Sequence, residues 1–130
     1  MKFLTPPHWP RPKGYSNGIV ARGEMVFLAG IIGWNEREEF DTDDFAGQAR
    51  QCFANITALL TEASAKPEHL VRLTWYVRHR DEYMAAGKAL GAAYREYFGQ
   101  HYPVMAVIGI DRLVEERAKL EIEATAVIPD

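Results

Sequence analysis

The chain has 130 residues, 48% of them hydrophobic, with a formal net charge of −3 and one cysteine. This fits one domain (residues 1–130) with its own core, and the mixed, weakly acidic charge leaves no basic footprint for nucleic acid. Cys52 alone excludes an intramolecular disulfide, and no apolar run approaches the roughly 20 residues of a membrane span, so a soluble, cytoplasmic protein is expected.

The opening "MKFLTPPHWPRPKGY" lacks a signal-peptide core and is broken by Pro6, Pro7, Pro10 and Pro12. Residues 1–13 therefore read as an extended arm leading into the fold. "GYSNGIVARGEMVFLAGIIGW" gives two short strands with a turn at Arg22, Gly23 and Glu24. The second of these, Met25 to Ile32, is almost continuously apolar.

"DTDDFAGQARQCFANITALLTEASAKP" predicts a helix, with Asp41, Thr42 and Asp43 as candidate caps. Phe45, Ala49, Cys52, Phe53, Ile56, Leu59, Leu60 and Ala63 keep helical spacing, and Pro67 lies beyond the end. "LVRLTWYVR" alternates: Val71, Leu73, Trp75 and Val77 on one face, Arg72, Thr74, Tyr76 and Arg78 on the other. "RDEYMAAGKALGAAYREYFG" predicts a second helix, with Asp81 near its cap and Gly99 as its stop. Gly87 and Gly91 each cost about 1 kcal/mol of helix propensity, which suggests close packing against a neighbour.

"HYPVMAVIGI" then gives a strand that is apolar on both faces from Val104 to Ile110. After the charged loop "DRLVEERAK", "LEIEATAVI" closes the chain with Leu120, Ile122, Ala124, Ala126 and Ile128 on one face. Glu121, Glu123, Thr125 and Val127 take the other. The predicted order is β-β-α-β-α-β-β, an α+β layer pair with two helices on one face of a mixed sheet. Nothing in the chain covers the other face, although two strands are apolar on both sides. An oligomer whose sheets meet face to face is therefore expected.

Five stretches, in order, resemble the RidA/YjgF family, a group also known as endoribonuclease L-PSP-like. "GYSNGIVARGEMVFLAG" is similar to its opening hairpin and "QARQCFANITALL" to its first helix. "LVRLTWYVRHRDEY" resembles its middle strand, "AYREYFG" the end of its second helix, and "LEIEATAV" its closing strand. The resemblance runs from Gly14 to Val127. It implies a chorismate-mutase-like fold and a homotrimer with a barrel-like sheet core and clefts between subunits. The family's deaminases hydrolyse imines or enamines such as 2-aminoacrylate to ketoacids and ammonia, without a metal or organic cofactor. Small-molecule ligands are implied as partners; a membrane or nucleic acid is not.

In that family an arginine two residues after a proline clamps the substrate carboxylate, because its planar fork matches a carboxylate bidentately. Here the pattern reads Pro103, Val104, Met105, so a thioether stands in the clamp's place. The usual 2-aminoacrylate route is then in question, and a more apolar pocket is implied. Glu121 matches the glutamate that orients the attacking water. Tyr15, Gly30 and Gly91 match positions at or near the cleft, with Ala29 in place of a serine beside Gly30. The second helix carries about one extra turn relative to the deaminases. Arg78, Arg80 and Arg112 are candidates to replace the clamp, Arg112 foremost because it follows the Met105 strand.

Each residue also has a plainer role. Tyr15 could anchor the N-terminal hairpin, Glu121 could be an interface carboxylate, Glu123 a salt-bridge partner, Met105 interface packing, and Trp34 a loop closure. The arginines could be solvated surface charges. His8, His69, His79 and His101 show no metal-ligand spacing, Ser16 and Ser64 lack a nucleophile elbow, and Cys52 reads as a core residue. Three functions stay open: a divergent imine or enamine deaminase, a non-enzymatic binder or sensor of a small molecule, and an endoribonuclease. The last is disfavoured by the acidic balance.

Overall fold

A computed structural model describes every residue, Met1–Asp130. In chain order it contains β1 (Lys2–Leu4), β2 (Gly18–Val20), β3 (Glu24–Phe27), β4 (Ile31–Ile32) and α1 (Phe45–Glu62). A 3-10 turn (Pro67–His69), β5 (Leu70–Val77), α2 (Arg80–Ala85), α3 (Gly87–Phe98), β6 (Val104–Gly109) and β7 (Leu120–Ile128) follow. The main sheet has the order β3-β7-β5-β6, and β4 pairs a further stretch of β7. β5 and β6 run parallel, while β3, β4 and β5 run antiparallel to β7. The sheet is thus mixed, as expected, and a helical crossover joins the parallel pair.

The core lies between one sheet face and the helices. Leu73, Trp75 and Val77 of β5 and Leu120, Ile122, Ala124 and Ala126 of β7 pack against Phe45, Ala49, Cys52, Phe53, Ile56 and Leu60 of α1. Ala93, Tyr94 and Phe98 of α3 complete it. Phe53 sits at its centre, its ring 5.7 Å from those of Trp75 and Tyr94 and 5.1 Å from that of Phe98. The predicted apolar stripe of α1 is this buried set, with Leu59 exposed and Ala63 half-buried.

Several expectations need correction. Within the arm at residues 1–13, β1 is extended but pairs back on β2 in a separate two-stranded sheet. The chain turns at Gly23 (φ 146°) as predicted, but the expected hairpin is absent, because β2 and β3 pair with β1 and β7 rather than with each other. The apolar run Met25–Ile32 is two strands, because residues 28–30 leave the ladder between β3 and β4. The register of β5 shifts between Leu70 and Arg72, so Leu70 faces the core and Val71 does not take the place predicted for it.

The first helix is capped by Asp44, whose carboxylate accepts from the Gly47 N–H at 2.9 Å, rather than by Asp41, Thr42 or Asp43. The predicted second helix is divided at Ala86 (φ −86°, ψ 0°), which caps α2 and opens α3. Gly99 (φ 64°) ends α3 as predicted. No close neighbour explains the helical glycines. A Cβ on Gly87 would meet nothing within 4 Å, and one on Gly91 would meet only the end of the Arg95 side chain.

Gln48 is the one polar residue of the buried set. Its amide donates to the carbonyls of Thr42 and Arg117, each at 3.0 Å, and accepts from the Lys119 N–H at 2.8 Å. It thereby fixes the start of β7 on α1, two residues before Glu121. No helix is long and apolar enough to cross a membrane.

Candidate functional site

β6 is the edge strand of the main sheet, and its register assigns its side chains to faces. Met105 and Val107 pair with Leu73 and Trp75 and share the helix side. Val104, Ala106 and Ile108 pair with Arg72, Thr74 and Tyr76 and share the open side. On the helix side a cleft of about 540 Å³ lies between Trp75, Met105 and Val107 on the sheet and α2 and α3 opposite. The helices contribute Tyr83, Met84, Gly87, Leu90, Gly91, Tyr94 and Arg95, and Gly14 and Tyr102 close the ends. Two predicted residues, Met105 and Gly91, thus meet in one cleft. The absence of side chains at Gly87 and Gly91 keeps its helical wall open.

The cleft is aromatic and carries one charge. Tyr94 and Tyr102 stack with ring centroids 5.3 Å apart and planes within 8°. The Tyr94 hydroxyl donates to the His101 carbonyl at 2.6 Å, and burial pushes its phenol pKa up, so it remains a neutral donor. Trp75 is 4% exposed, and its indole N–H is buried without a hydrogen-bond partner. Arg95 is the only ionised side chain of the lining. Sequence reasoning missed both Trp75 and Arg95. The available signal for Arg95 was its spacing, one helical turn after Gly91, which puts the two on one face.

A second group forms on the open side of the sheet. Glu121 pairs with Tyr76 on one side and with Ile32 on the other. Its carboxylate lies against the backbone of Gly30, where a Cβ would stand 2.6 Å from the Glu121 Cδ. Glycine at residue 30 is what admits the carboxylate. Beside it the Tyr76 hydroxyl donates to Glu123 at 2.7 Å, and this bond raises the Tyr76 pKa. Glu123 is therefore a hydrogen-bond acceptor, not the salt-bridge partner expected. Behind Gly30 and β4, Cys52 is fully buried, with its Sγ 3.5 Å from the Ile31 carbonyl.

Of the remaining predicted residues, Tyr15 reaches Met105 from the other side of β6 and the arginines lie apart. Tyr15 is 44% exposed and borders a hollow with Arg72, Thr74, Val104 and Met105 at the β6 edge. Its neighbour Ser16 bridges to Val104 and donates its hydroxyl to the Tyr102 carbonyl. Arg112 lines a different, smaller hollow with Arg78, Leu113, Val114 and Glu116, beyond the Met105 cleft. Arg78 donates to the Glu116 carbonyl at 2.6 Å, and Arg80 pairs with Asp81 on the surface. Trp34 packs on Phe40, ring centroids 6.0 Å apart, and closes a loop.

The sequence model of the family described as endoribonuclease L-PSP matches residues 9–128. A 2-iminobutanoate/2-iminopropanoate deaminase of Dermatophagoides farinae is 28% identical over 98% of this chain and 96% of its own length. A RutC family protein of Aquifex aeolicus is 32% identical over 98% of this chain and 99% of its own. Among solved structures, YyfB of Yersinia pestis, from the conserved Rid protein family, superposes with a TM-score of 0.84. It is 28% identical, and the match covers 98% of both chains.

Proposed function

The chain belongs to the endoribonuclease L-PSP family, the RidA/YjgF group, and from that premise we propose that it hydrolyses a small imine or enamine metabolite in clefts shared between copies. The observation that carries this reading is the Glu121 carboxylate held against the Gly30 backbone on the uncovered sheet face. Relatives named 2-iminobutanoate/2-iminopropanoate deaminase support it at 28% and 30% identity.

In the proposed reaction Glu121 takes a proton from water as the water oxygen bonds to the imine carbon. The C=N electron pair moves to nitrogen, which takes up a proton. The carbinolamine then collapses, its C–N bond breaks, and ammonia leaves a ketone behind. Imine plus water gives ketone plus ammonia, with no redox partner required.

Met105 and Glu121 lie on opposite faces of the sheet, so one chain does not join them. A homotrimer with a barrel-like core of sheets would, by laying the open face of one copy along the β6 edge of the next. Phe27 and Met25 on that face are 70% and 55% exposed, which supports burial by a partner. With Met105 at the resembling family's clamp position, 2-aminoacrylate is a poor substrate by the usual route. A single buried thiol suits a reducing compartment, and the cytoplasm is the proposed location.

The test is ammonia release from freshly generated imino acids by the wild type and by Glu121→Gln. The variant is expected to lose about 10²- to 10⁴-fold in turnover, as for removal of a general base, while still binding ligand. Wild-type binding with no ammonia release would favour the non-enzymatic binder. RNA cleavage that Glu121→Gln retains would mark a contaminant rather than this protein.

A further inference from the structure

We propose that Arg95 binds the carboxylate of the ligand, and that the cleft selects acids carrying an aromatic or bulky apolar group. This rests on reading the Met105 cleft as the substrate site. Arg95 is the only charged residue lining it, so the cleft favours an anion. Arg95 forms no ion pair and no side-chain hydrogen bond within the chain, so its fork is free. Its Nη1 lies 3.1 Å from the place a Cβ on Gly91 would occupy. The guanidinium is therefore laid back along α3 over a position that only glycine leaves fully open. The other arginines considered are engaged on the surface or in the separate hollow near Arg112.

The rest of the wall is apolar and aromatic: Trp75, Met84, Leu90, Tyr102, Met105 and Val107. A volume of about 540 Å³ gives more room than a three-carbon acid fills. The Trp75 ring lines the sheet side, while its indole N–H is buried away from the cleft without a partner. A cation on the helix side and aromatic and apolar faces around it match an acid with a flat or bulky apolar body.

Calorimetric titration reads the proposal with three probes: phenylpyruvate, pyruvate and the neutral ketone phenylacetone. Wild type is expected to bind phenylpyruvate more tightly than either of the others. Arg95→Gln is expected to weaken phenylpyruvate by about 10- to 100-fold, the range for a lost charged hydrogen bond, and to leave phenylacetone unchanged. Arg95→Lys keeps the charge without the fork and is expected to fall between. Absence of phenylpyruvate binding by wild type overturns the proposal. So does equal affinity in Arg95→Gln, or an equal loss for both aromatic probes, which would mark a structural role. If the expected binding pattern appears but no imine is hydrolysed, the deaminase reading falls and the assignment of Arg95 stands. If imines are hydrolysed and Arg95→Gln leaves KM unchanged, the assignment falls and the deaminase reading stands.

Discussion

Met105 and Glu121 stand on opposite faces of one sheet: Met105 pairs with Leu73, which is in the core, and Glu121 pairs with Tyr76, which is on the open side. Two groups so placed act on one ligand only when a second copy of the chain brings them together. Phe27 on β3 and Ile108 on β6 flank the open face and are 70% and 42% exposed. Light scattering at micromolar concentration is expected to give a mass well above the 14.7 kDa of one chain. Ile108→Glu places a charge on that face and is expected to shift the protein towards monomer and to abolish ammonia release. A wild-type monomer would sink both the assembly and the shared cleft.

Gly30 and Glu121 give a sharper probe of the carboxylate. A Cβ at residue 30 would overlap the Glu121 side chain, which is flexible enough to swing away. Gly30→Ala should therefore fold with little loss of thermal stability while displacing the carboxylate. Turnover is expected to drop by about 10²-fold or more, as when a general base is moved out of reach. Unchanged turnover with an unchanged melting temperature would show that Glu121 does not act on the water.

The α1 stripe could be read from the sequence because the buried residues Phe45, Ala49, Cys52, Phe53, Ile56 and Leu60 keep helical spacing. Gln48 could not. Its three backbone partners lie at residues 42, 117 and 119, and nothing local marks a glutamine for which two of these three bonds reach the start of β7. The division at Ala86 was hidden because residues 80–98 keep their helical character on both sides of it. The doubly apolar β6 correctly signalled an uncovered face. Arg95 is not marked by its surroundings in the sequence, because only the packing of α3 over β6 brings its side chain to the Met105 cleft. Gly30 and Glu121 came from family resemblance, and only the ladder between β4 and β7 makes their contact physical.

Met105 tests the proposal that a thioether stands where the family's deaminases clamp a carboxylate. It is half-buried and faces the cleft from an edge strand, so an arginine there can extend into open space. Met105→Arg is expected to raise kcat/KM for 2-aminoacrylate by about 10- to 100-fold, the worth of a charge-assisted hydrogen bond. The gain should be smaller for bulky apolar imino acids, which lose room. If wild type already hydrolyses 2-aminoacrylate and the substitution adds nothing, the carboxylate is held elsewhere, and Arg95 is the free cation in reach of the same cleft.

Cys52 lies behind the Glu121 strand and reports on the packing there through pH. Burial, and then the nearby Glu121 charge, push its thiol pKa up, so the native state holds the neutral thiol. The unfolded thiol ionises near pH 8.5. A folded pKa raised above the unfolded one adds stability that is complete below the unfolded value and fades as pH rises towards the folded one. Denaturant titrations are therefore expected to show almost no contribution from this group to the slope below about pH 7.5. Above about pH 8.5 stability should fall by about 1.4 kcal/mol per pH unit from this thiol. Cys52→Ala should remove that part of the alkaline slope while lowering stability at neutral pH through the cavity it leaves. The native thiol should also resist a disulfide reagent at pH 8 and react once the chain is unfolded. Rapid labelling of the native protein would mean that the contact between α1 and β4 opens readily, and Glu121 would then lack the rigid backing the site requires.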